Sequence, residues 1–328
     1  MNIVLQVVLL VAGFVLLIKG ADWLVDGASS TAANFKVSKM LIGLTIVAFG
    51  TGAPELAVSI SSLLSGKTDM LLGNVVGSNI LNILLLLGIG ALIRPIKVKK
   101  DTVRKELPML ILISIAIVVL FLSTTLSGID ATNVISRSDG IICLLLFGIF
   151  IYYLIAMARR NRNAKTDIEK PKWKVGKSIL ITVIGLVGVV LGSQLVVNSA
   201  STIASAIGIS DRVIALTIVA FGTSLPELVT TITAAKRRET DLLVGNLVGS
   251  NIFNICIVLG LPVAIYGTIA PSVEGIGLYI DLGMMLFATI FLWLCTVLRD
   301  RKVGRMEGAL MLTCFAIYYS YVIYSALV

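Results

Sequence analysis

Two stretches of this 328-residue chain each occur twice, with the same spacing between copies. Thr45 to Leu56 reads TIVAFGTGAPEL and Thr217 to Leu228 reads TIVAFGTSLPEL, ten of twelve positions identical at an offset of 172. Gly73 to Ile83 (GNVVGSNILNI) returns as Gly245 to Ile255 (GNLVGSNIFNI), nine of eleven identical, again at 172. Fainter likenesses, Gly20–Trp23 with Gly192–Leu195 and Arg137–Gly140 with Arg305–Gly308, extend the repeat over nearly the whole chain. A duplication of this extent confines the fold to two copies of one unit.

Each copy offers five apolar segments: roughly 3–25, 40–64, 70–92, 107–125 and 139–158, then 178–200, 213–235, 242–263, 278–298 and 306–326. Only 14% of residues are charged and the mean hydropathy is +1.02; a soluble domain carries about 25% charged residues. Segments of about 20 apolar residues are read as membrane helices. Ten of them use up the length and leave no room for a soluble domain. Five is odd, so the second copy must enter the membrane in the opposite sense, as in transporters with inverted repeats.

The expected fold is an all-α polytopic membrane protein with ten transmembrane helices in two inverted five-helix repeats. Residues 1–158 form the first repeat with the N-terminus outside. Residues 159–177 form a basic cytoplasmic linker, and residues 178–328 the second repeat with the C-terminus outside. Charge agrees: 23 Lys and Arg fall in loops placed inside and three (Lys67, Arg137, Arg212) in loops placed outside, as the positive-inside rule requires. The net charge of +9 is thereby assigned to orientation in the bilayer, not to nucleic acid. No basic stretch precedes the apolar run Ile3 to Ile18, which reads as a retained helix and not a cleaved signal. The expected location is the cell (inner) membrane, with the lipid bilayer as the surrounding partner and no protein partner.

Several chemistries have no residues to carry them. The chain has no histidine, and Cys143, Cys256, Cys295 and Cys314 lie singly in apolar segments. With no nucleophile–base pair and no phosphate loop, the sequence points to neither an enzyme nor a cofactor.

Glu55 and Glu227 stand out, each near the centre of an apolar segment. An ionisable group there costs about 2.5–3.5 kcal/mol on insertion scales, so it marks a functional site. Pro54 and Pro226 precede them, supply no N–H, and release the carbonyls of Gly50 and Gly222. Irregular backbone at that depth is tolerated only inside protein or along a cavity. Thr51 shares a helix face with Glu55, Thr223 with Glu227, Ser78 with Asn82, and Ser250 with Asn254, each pair four residues apart. All these groups offer oxygen, which suits a hard cation such as Ca²⁺ or Na⁺. The Gly73/Gly77 and Gly245/Gly249 pairs read as close helix packing. Asp22 and Asp26, whose counterparts are Gln194 and Asn198, read as a polar face near the inner end of the first segment.

With these residues the sequence resembles the calcium/cation antiporter superfamily, specifically its prokaryotic sodium/calcium exchanger branch. Its two alpha-repeats carry G-T-S-x-P-E followed by G-N-x-x-G-S-N. The resemblance implies discontinuous second, third, seventh and eighth helices around a midplane cation site, across which the first and sixth helices slide. It implies as ligands Glu55, Thr51, Ser78 and the Ala48 carbonyl, with Asn82 at the remaining polar position. In the second half it implies Glu227, Thr223, Ser224, Ser250 and the Ala220 carbonyl. Gly52 stands where the pattern has Ser, and Asn254 where members of this branch can have Asp. The implied function is exchange of Na⁺ for Ca²⁺ by alternating access. Exchange of Ca²⁺ for H⁺ on the same carboxylates, and a cation channel, stay open as alternatives.

Overall fold

Backbone amides in a bilayer find no water, so an apolar stretch satisfies them within a helix. The computed structural model of the protein describes residues 3–126, 133–163, 171–207, 220–269 and 276–327. Its longer helices are α1 (Ile3–Phe35), α2 (Lys39–Thr51), α3 (Ala53–Leu64), α4 (Thr68–Ile93), α5 (Leu107–Phe121) and α6 (Arg137–Asn163), then α7 (Val175–Ala206), α8 (Leu225–Lys236), α9 (Thr240–Tyr266), α10 (Ile276–Leu298) and α11 (Arg305–Leu327). Among the described residues, seven helices are long and apolar enough to cross a membrane, or eight if α2 and α3, bent by 42°, are one span. Of the other two expected segments, the fourth is a 15-residue α5 continuing from a π-turn at Thr102–Glu106. The seventh has its beginning, residues 213–219, outside the described residues, as are Arg212 and the Thr217–Val219 part of the repeated motif.

Two boundaries differ from expectation. The first and sixth segments do not stop near residues 25 and 200 but run on to Phe35 and Ala206, as helices of 33 and 32 residues. At 1.5 Å per residue each is about 50 Å long. The apolar run ends earlier, but small polar side chains carry the α1–α7 contact further. Ser30 Oγ and Ser178 Oγ lie 2.8 Å apart, Thr31 Oγ1 and Thr182 Oγ1 3.2 Å apart, and Asn34 Nδ2 donates to Ser178 Oγ at 2.9 Å. The linker is correspondingly shorter than 159–177, because α6 reaches Asn163 and α7 begins at Val175. Residues 164–170 of it lie outside the described residues.

Along the rest of their length α1 and α7 meet backbone to backbone, running antiparallel. A Cβ on Gly185 would come within 2.3 Å of Leu24 N, one on Gly20 within 2.7 Å of Val189 N, and one on Gly192 within 2.6 Å of Leu17 N. Small residues at such a seam let helices approach closely where lipid offers no hydrophobic drive. The opposite face of α1 exposes Val4, Val8, Val11 and Val15, as a lipid-facing helix should.

The centre of the molecule belongs to α4 and α9, which are far more buried than α1 or α6. Helix α2 lies against α9: a Cβ on Gly245 would meet Met40 O at 2.5 Å, and one on Gly43 would meet Leu242 O at 2.6 Å. The packing role expected for Gly245 and Gly249 is therefore observed. The equivalents of Met40, Gly43 and Leu44, which would pack on Gly73 and Gly77 by the same offset, are Arg212, Ala215 and Leu216, and they lie outside the described residues. A short antiparallel ribbon, β1 (Ile96–Lys97) with β2 (Lys302–Val303), ties the loop after α4 to the loop after α10.

Candidate cation site

The two Pro-Glu pairs begin new helices and do not merely kink old ones. Pro54 and Glu55 lie in the first turn of α3, and Pro226 and Glu227 in the first turn of α8. Proline has no N–H to lose there, and a helix N-terminus favours an anion. The break residues share one conformation, Gly52 at φ −78°, ψ 0° and Ser224 at φ −92°, ψ 6°. On the facing helices, α4 widens into a π-turn at Leu81–Leu87 and α9 at Asn254–Leu259. Asn82 and Asn254 sit at the starts of these turns, an irregularity frequent at functional sites.

These irregularities bring the two halves together. Glu55 and Glu227 are 2% and 1% exposed, and near enough to each other to interact electrostatically. The Ser224 hydroxyl stands beside Glu55, and the Thr51 hydroxyl beside Glu227. Thr51, Ser78, Asn82, Ser224, Ser250 and Asn254 are all buried, whereas Thr223 is half-buried. Oxygens with no hydrogen-bond partner gather on these residues: Glu55 Oε2, Glu227 Oε2, Ser224 Oγ, Ser250 Oγ, Asn82 Oδ1 and Asn254 Oδ1. A buried polar atom left unpaired needs an explanation. Oxygens from two carboxylates, hydroxyls and amides are the donor set of a hard cation.

The expected carbonyl ligands fare differently. The Ala48 carbonyl is buried and accepts the Gly52 N–H at 3.0 Å, which leaves one lone pair. Ala220 opens a helical turn, Ala220–Gly222, and its side chain is outside the described residues. The Gly222 carbonyl released by Pro226 is not free: Ser193 Oγ, on α7, donates to it at 2.9 Å. A hydroxyl 29 residues away in sequence carried no signal of that contact.

Four asparagines of the repeated G-N-x-x-G-S-N motif, to which the sequence assigns no role, complete the arrangement. Asn74 Nδ2 donates to the Glu55 carbonyl at 3.1 Å and to Ser59 Oγ at 3.0 Å. Thr51 Oγ1 lies 3.4 Å from Asn246 Oδ1. Asn82 Nδ2 donates to Asn251 Oδ1 at 2.9 Å, and Asn251 Nδ2 to the Asn79 carbonyl at 3.3 Å. These amides hold the site residues in place. Their duplication at the 172 offset was the signal available for finding them.

Buried oxygens from two repeated half-helix motifs, inside a bundle of membrane-length helices, define an ion transporter. The sodium/calcium exchanger protein family pattern matches the chain over residues 5–156 and 177–324, and the chain belongs to that family. It is 39% identical to the "Putative antiporter CaxA" of Alkalimonas amylolytica, over 97% of this chain and 98% of that one. It is 31% identical to the "Sodium/calcium exchanger MaX1" of Methanosarcina acetivorans, over 94% and 96%. Its fold superimposes on a crystal structure of the sodium-calcium exchanger NCX_Mj with a TM-score of 0.82 at 33% identity, covering 97% of this chain and 99% of that one.

Proposed function

We propose that the protein exchanges Na⁺ for Ca²⁺ across the cell (inner) membrane by alternating access. On this reading ten helices form two inverted five-helix repeats, with both termini outside and the 159–177 region in the cytoplasm. The cation binds between the breaks and the π-turns, held by Glu55, Thr51, Ser78, Asn82 and the Ala48 carbonyl. From the other half it is held by Glu227, Thr223, Ser224, Ser250, Asn254 and the Ala220 carbonyl. The observation that carries this is the set of unpartnered buried oxygens contributed by both halves. Glu55 and Glu227 ionised give a formal charge of −2, which one Ca²⁺ or two Na⁺ neutralise. The uncharged hydroxyls and amides add ligands for Na⁺ that a proton would not need.

Alternating access asks for one part to move against another. The α1–α7 pair, joined backbone to backbone and touching the break of the seventh segment through Ser193, is a unit suited to sliding. The reading is tested by Ca²⁺ uptake into reconstituted vesicles loaded with Na⁺, with pH clamped equal on both sides. Uptake should follow the Na⁺ gradient. Uptake that ignores Na⁺ and follows an imposed pH gradient overturns it in favour of H⁺ exchange, and uptake with no exchangeable ion inside overturns it in favour of a channel. Orientation is tested separately, with cysteines at Ala164 and at the C-terminus and a membrane-impermeant reagent on intact cells. The C-terminal cysteine should label and the Ala164 one should not.

A further inference from the structure

Some of the cations around the β1–β2 ribbon are paired with acids, and others, Lys97, Lys302 and Arg305 among them, line a neighbouring cleft that also holds Asp241, Asp300 and Glu307. Lys39 pairs with Glu239 at 2.8 Å, Lys99 with Asp241 at 2.5 Å, Lys105 with Asp101 at 3.7 Å and Arg299 with Glu307 at 3.1 Å. Lys100, Arg104 and Arg301 have no acid within ion-pair distance among the described residues, and all three line one cavity of about 620 Å³ between α5 and α10. One acid, Asp300, lines it too, so the lining carries a formal +2. All three cations are exposed, so water and salt screen their repulsion, and an anion seated among them gains from all three at once.

The cavity is built. Asp300 and Arg301 hold left-handed backbone, at φ 49° and 61°, a conformation costly for residues other than glycine and kept where surrounding structure enforces it. The enforcement is visible: Arg301 N donates to the Thr296 carbonyl at 2.8 Å, and Val98 N to the Arg301 carbonyl at 2.7 Å. On the other wall, Trp293 Nε1 donates to the Val103 carbonyl at 3.2 Å, joining α10 to the turn before α5.

One side of the cavity is apolar. Val103, Pro108 and Val297 line it, and Val297 continues into a bare face of α10 formed with Leu294 and Leu298, the last 76% exposed. A free inorganic anion has no use for that wall, whereas an amphiphile does. Basic pockets between membrane helices are known to take acidic lipid headgroups.

The structure assigns this cavity to an anionic phospholipid of the leaflet on the basic side of the molecule. Its phosphate is held by Lys100, Arg104 and Arg301, and its acyl chains run past Pro108 and Val297 onto the apolar face of α10. The assignment rests on that basic face lying at the membrane surface. It does not depend on which ions are exchanged.

The test uses the full chain in phosphatidylcholine nanodiscs with a minor fraction of phosphatidylglycerol, the retained lipid being counted by native mass spectrometry. A triple variant, Lys100→Gln with Arg104→Gln and Arg301→Gln, is compared with one of equal charge loss, Lys36→Gln with Lys174→Gln and Lys177→Gln. Wild type should retain a phosphatidylglycerol through delipidation, and each cation removed from the cavity should weaken its retention by about fivefold. The control variant should retain it like wild type. Equal loss in both variants overturns the proposal, because it would mean a diffuse basic face and not a site. Displacement of phosphatidylglycerol by millimolar inorganic phosphate also overturns it, in favour of a simple anion site. Arg301→Gln alone, measured in the same way, covers a triple variant that fails to fold.

Discussion

The two halves of the molecule repeat their motifs, yet the same position does different work in each. At the break, Gly52 and Ser224 are counterparts with nearly the same backbone angles. A Cβ on Gly52 would come within 2.9 Å of the Phe253 ring, and that ring stacks on Phe49 with centroids 5.1 Å apart. The counterparts of Gly52 and Phe253 are Ser224 and Leu81, a hydroxyl where the first half has glycine and an aliphatic side chain where the second has a ring. The Gly222 carbonyl is taken by Ser193, but the counterpart of Ser193 is Ala21, which has nothing to donate. Asn82 bonds across to Asn251, whereas Asn79, which would face Asn254 by the same operation, donates to its own helix at the Val75 carbonyl. On the inverted-repeat reading proposed above, the two halves exchange conformations during transport. The first two differences are of residue type and persist in every state, whereas the Asn82–Asn251 asymmetry, between identical residues, is of the kind that a single state of such a cycle displays.

The carboxylates are where the halves should be most alike. Glu55→Gln and Glu227→Gln are each expected to abolish Ca²⁺ uptake while leaving folded protein in the membrane, since the amide keeps the size but loses the charge that the cation needs. Uptake at a near wild-type rate and affinity in either variant would remove that glutamate from the primary ligands.

The break is where the halves should differ most. Gly52→Ser restores the hydroxyl of the family pattern but drives a side chain into the Phe253 ring, and overpacking of this sort costs about 1–3 kcal/mol. Exchange should fall by about tenfold or more on that scale, together with the thermal midpoint of unfolding. Adding Phe253→Leu, which copies Leu81, should recover much of both. If the double variant is no better than the single one, the aromatic ring is not the reason for glycine at 52.

The fold was largely readable because a bilayer leaves few choices. Apolar run length, which gives the membrane helices, is a property of sequence alone; the sense of the second repeat and the side of the basic loops belong to the proposed reading. Glu55 and Glu227 were equally plain, since a charge at that depth has few structural excuses. What escaped depended on partners distant in sequence. The extension of α1 past residue 25 rests on Ser30, Thr31 and Asn34 meeting α7, and the capture of the Gly222 carbonyl rests on Ser193. Gly52 was legible as a departure from the family pattern, but its cause, a phenylalanine 201 positions later, needed coordinates.

The asparagines at the π-turns, identical in the two halves, differ in what they bond. Asn254→Asp adds a third carboxylate where an amide oxygen has no partner. The site then carries −3, and two Na⁺ no longer neutralise it, an imbalance that matters in a low-dielectric midplane. Na⁺ dependence or electrogenicity should change by several-fold, on the order of 1 kcal/mol, and Ca²⁺ selectivity by less. Asn82→Asp should behave differently, because it replaces the amide that donates to Asn251 Oδ1 and sets oxygen against oxygen. Lower yield of folded protein is expected from Asn82→Asp alone. Similar behaviour of the two variants, measured by Na⁺-driven uptake and by yield, would mean that the Asn82–Asn251 bond does not distinguish the halves.

The smallest effect is expected far from the site, at an ion-pair cluster whose counterparts in the other half are uncharged. Arg237, just beyond α8, binds Asp22 of α1 at 2.7 Å and also Asp26, and Lys172 reaches Asp26 at 2.9 Å. The counterparts of Asp22, Asp26 and Arg237 are Gln194, Asn198 and Ser65, none of them charged. If α1 and α7 slide as one body against α8, these pairs are made in one state of the cycle and broken in the other. The acids are 34% and 23% exposed, so each pair contributes only about 0.2–1 kcal/mol. Taken in the lower half of that range, the two Arg237 pairs sum to about 0.4–1 kcal/mol, so Asp22→Asn with Asp26→Asn should shift the balance of the two states by about two- to fivefold, against this arrangement. Apparent Ca²⁺ affinity measured from the two sides of oriented vesicles should move in opposite directions. Raising the ionic strength should mimic the variant in wild type and do little to the variant itself, because exposed pairs are screened by salt. Affinities that stay unchanged on both sides would mean that the cluster travels with α1 and does not distinguish the states.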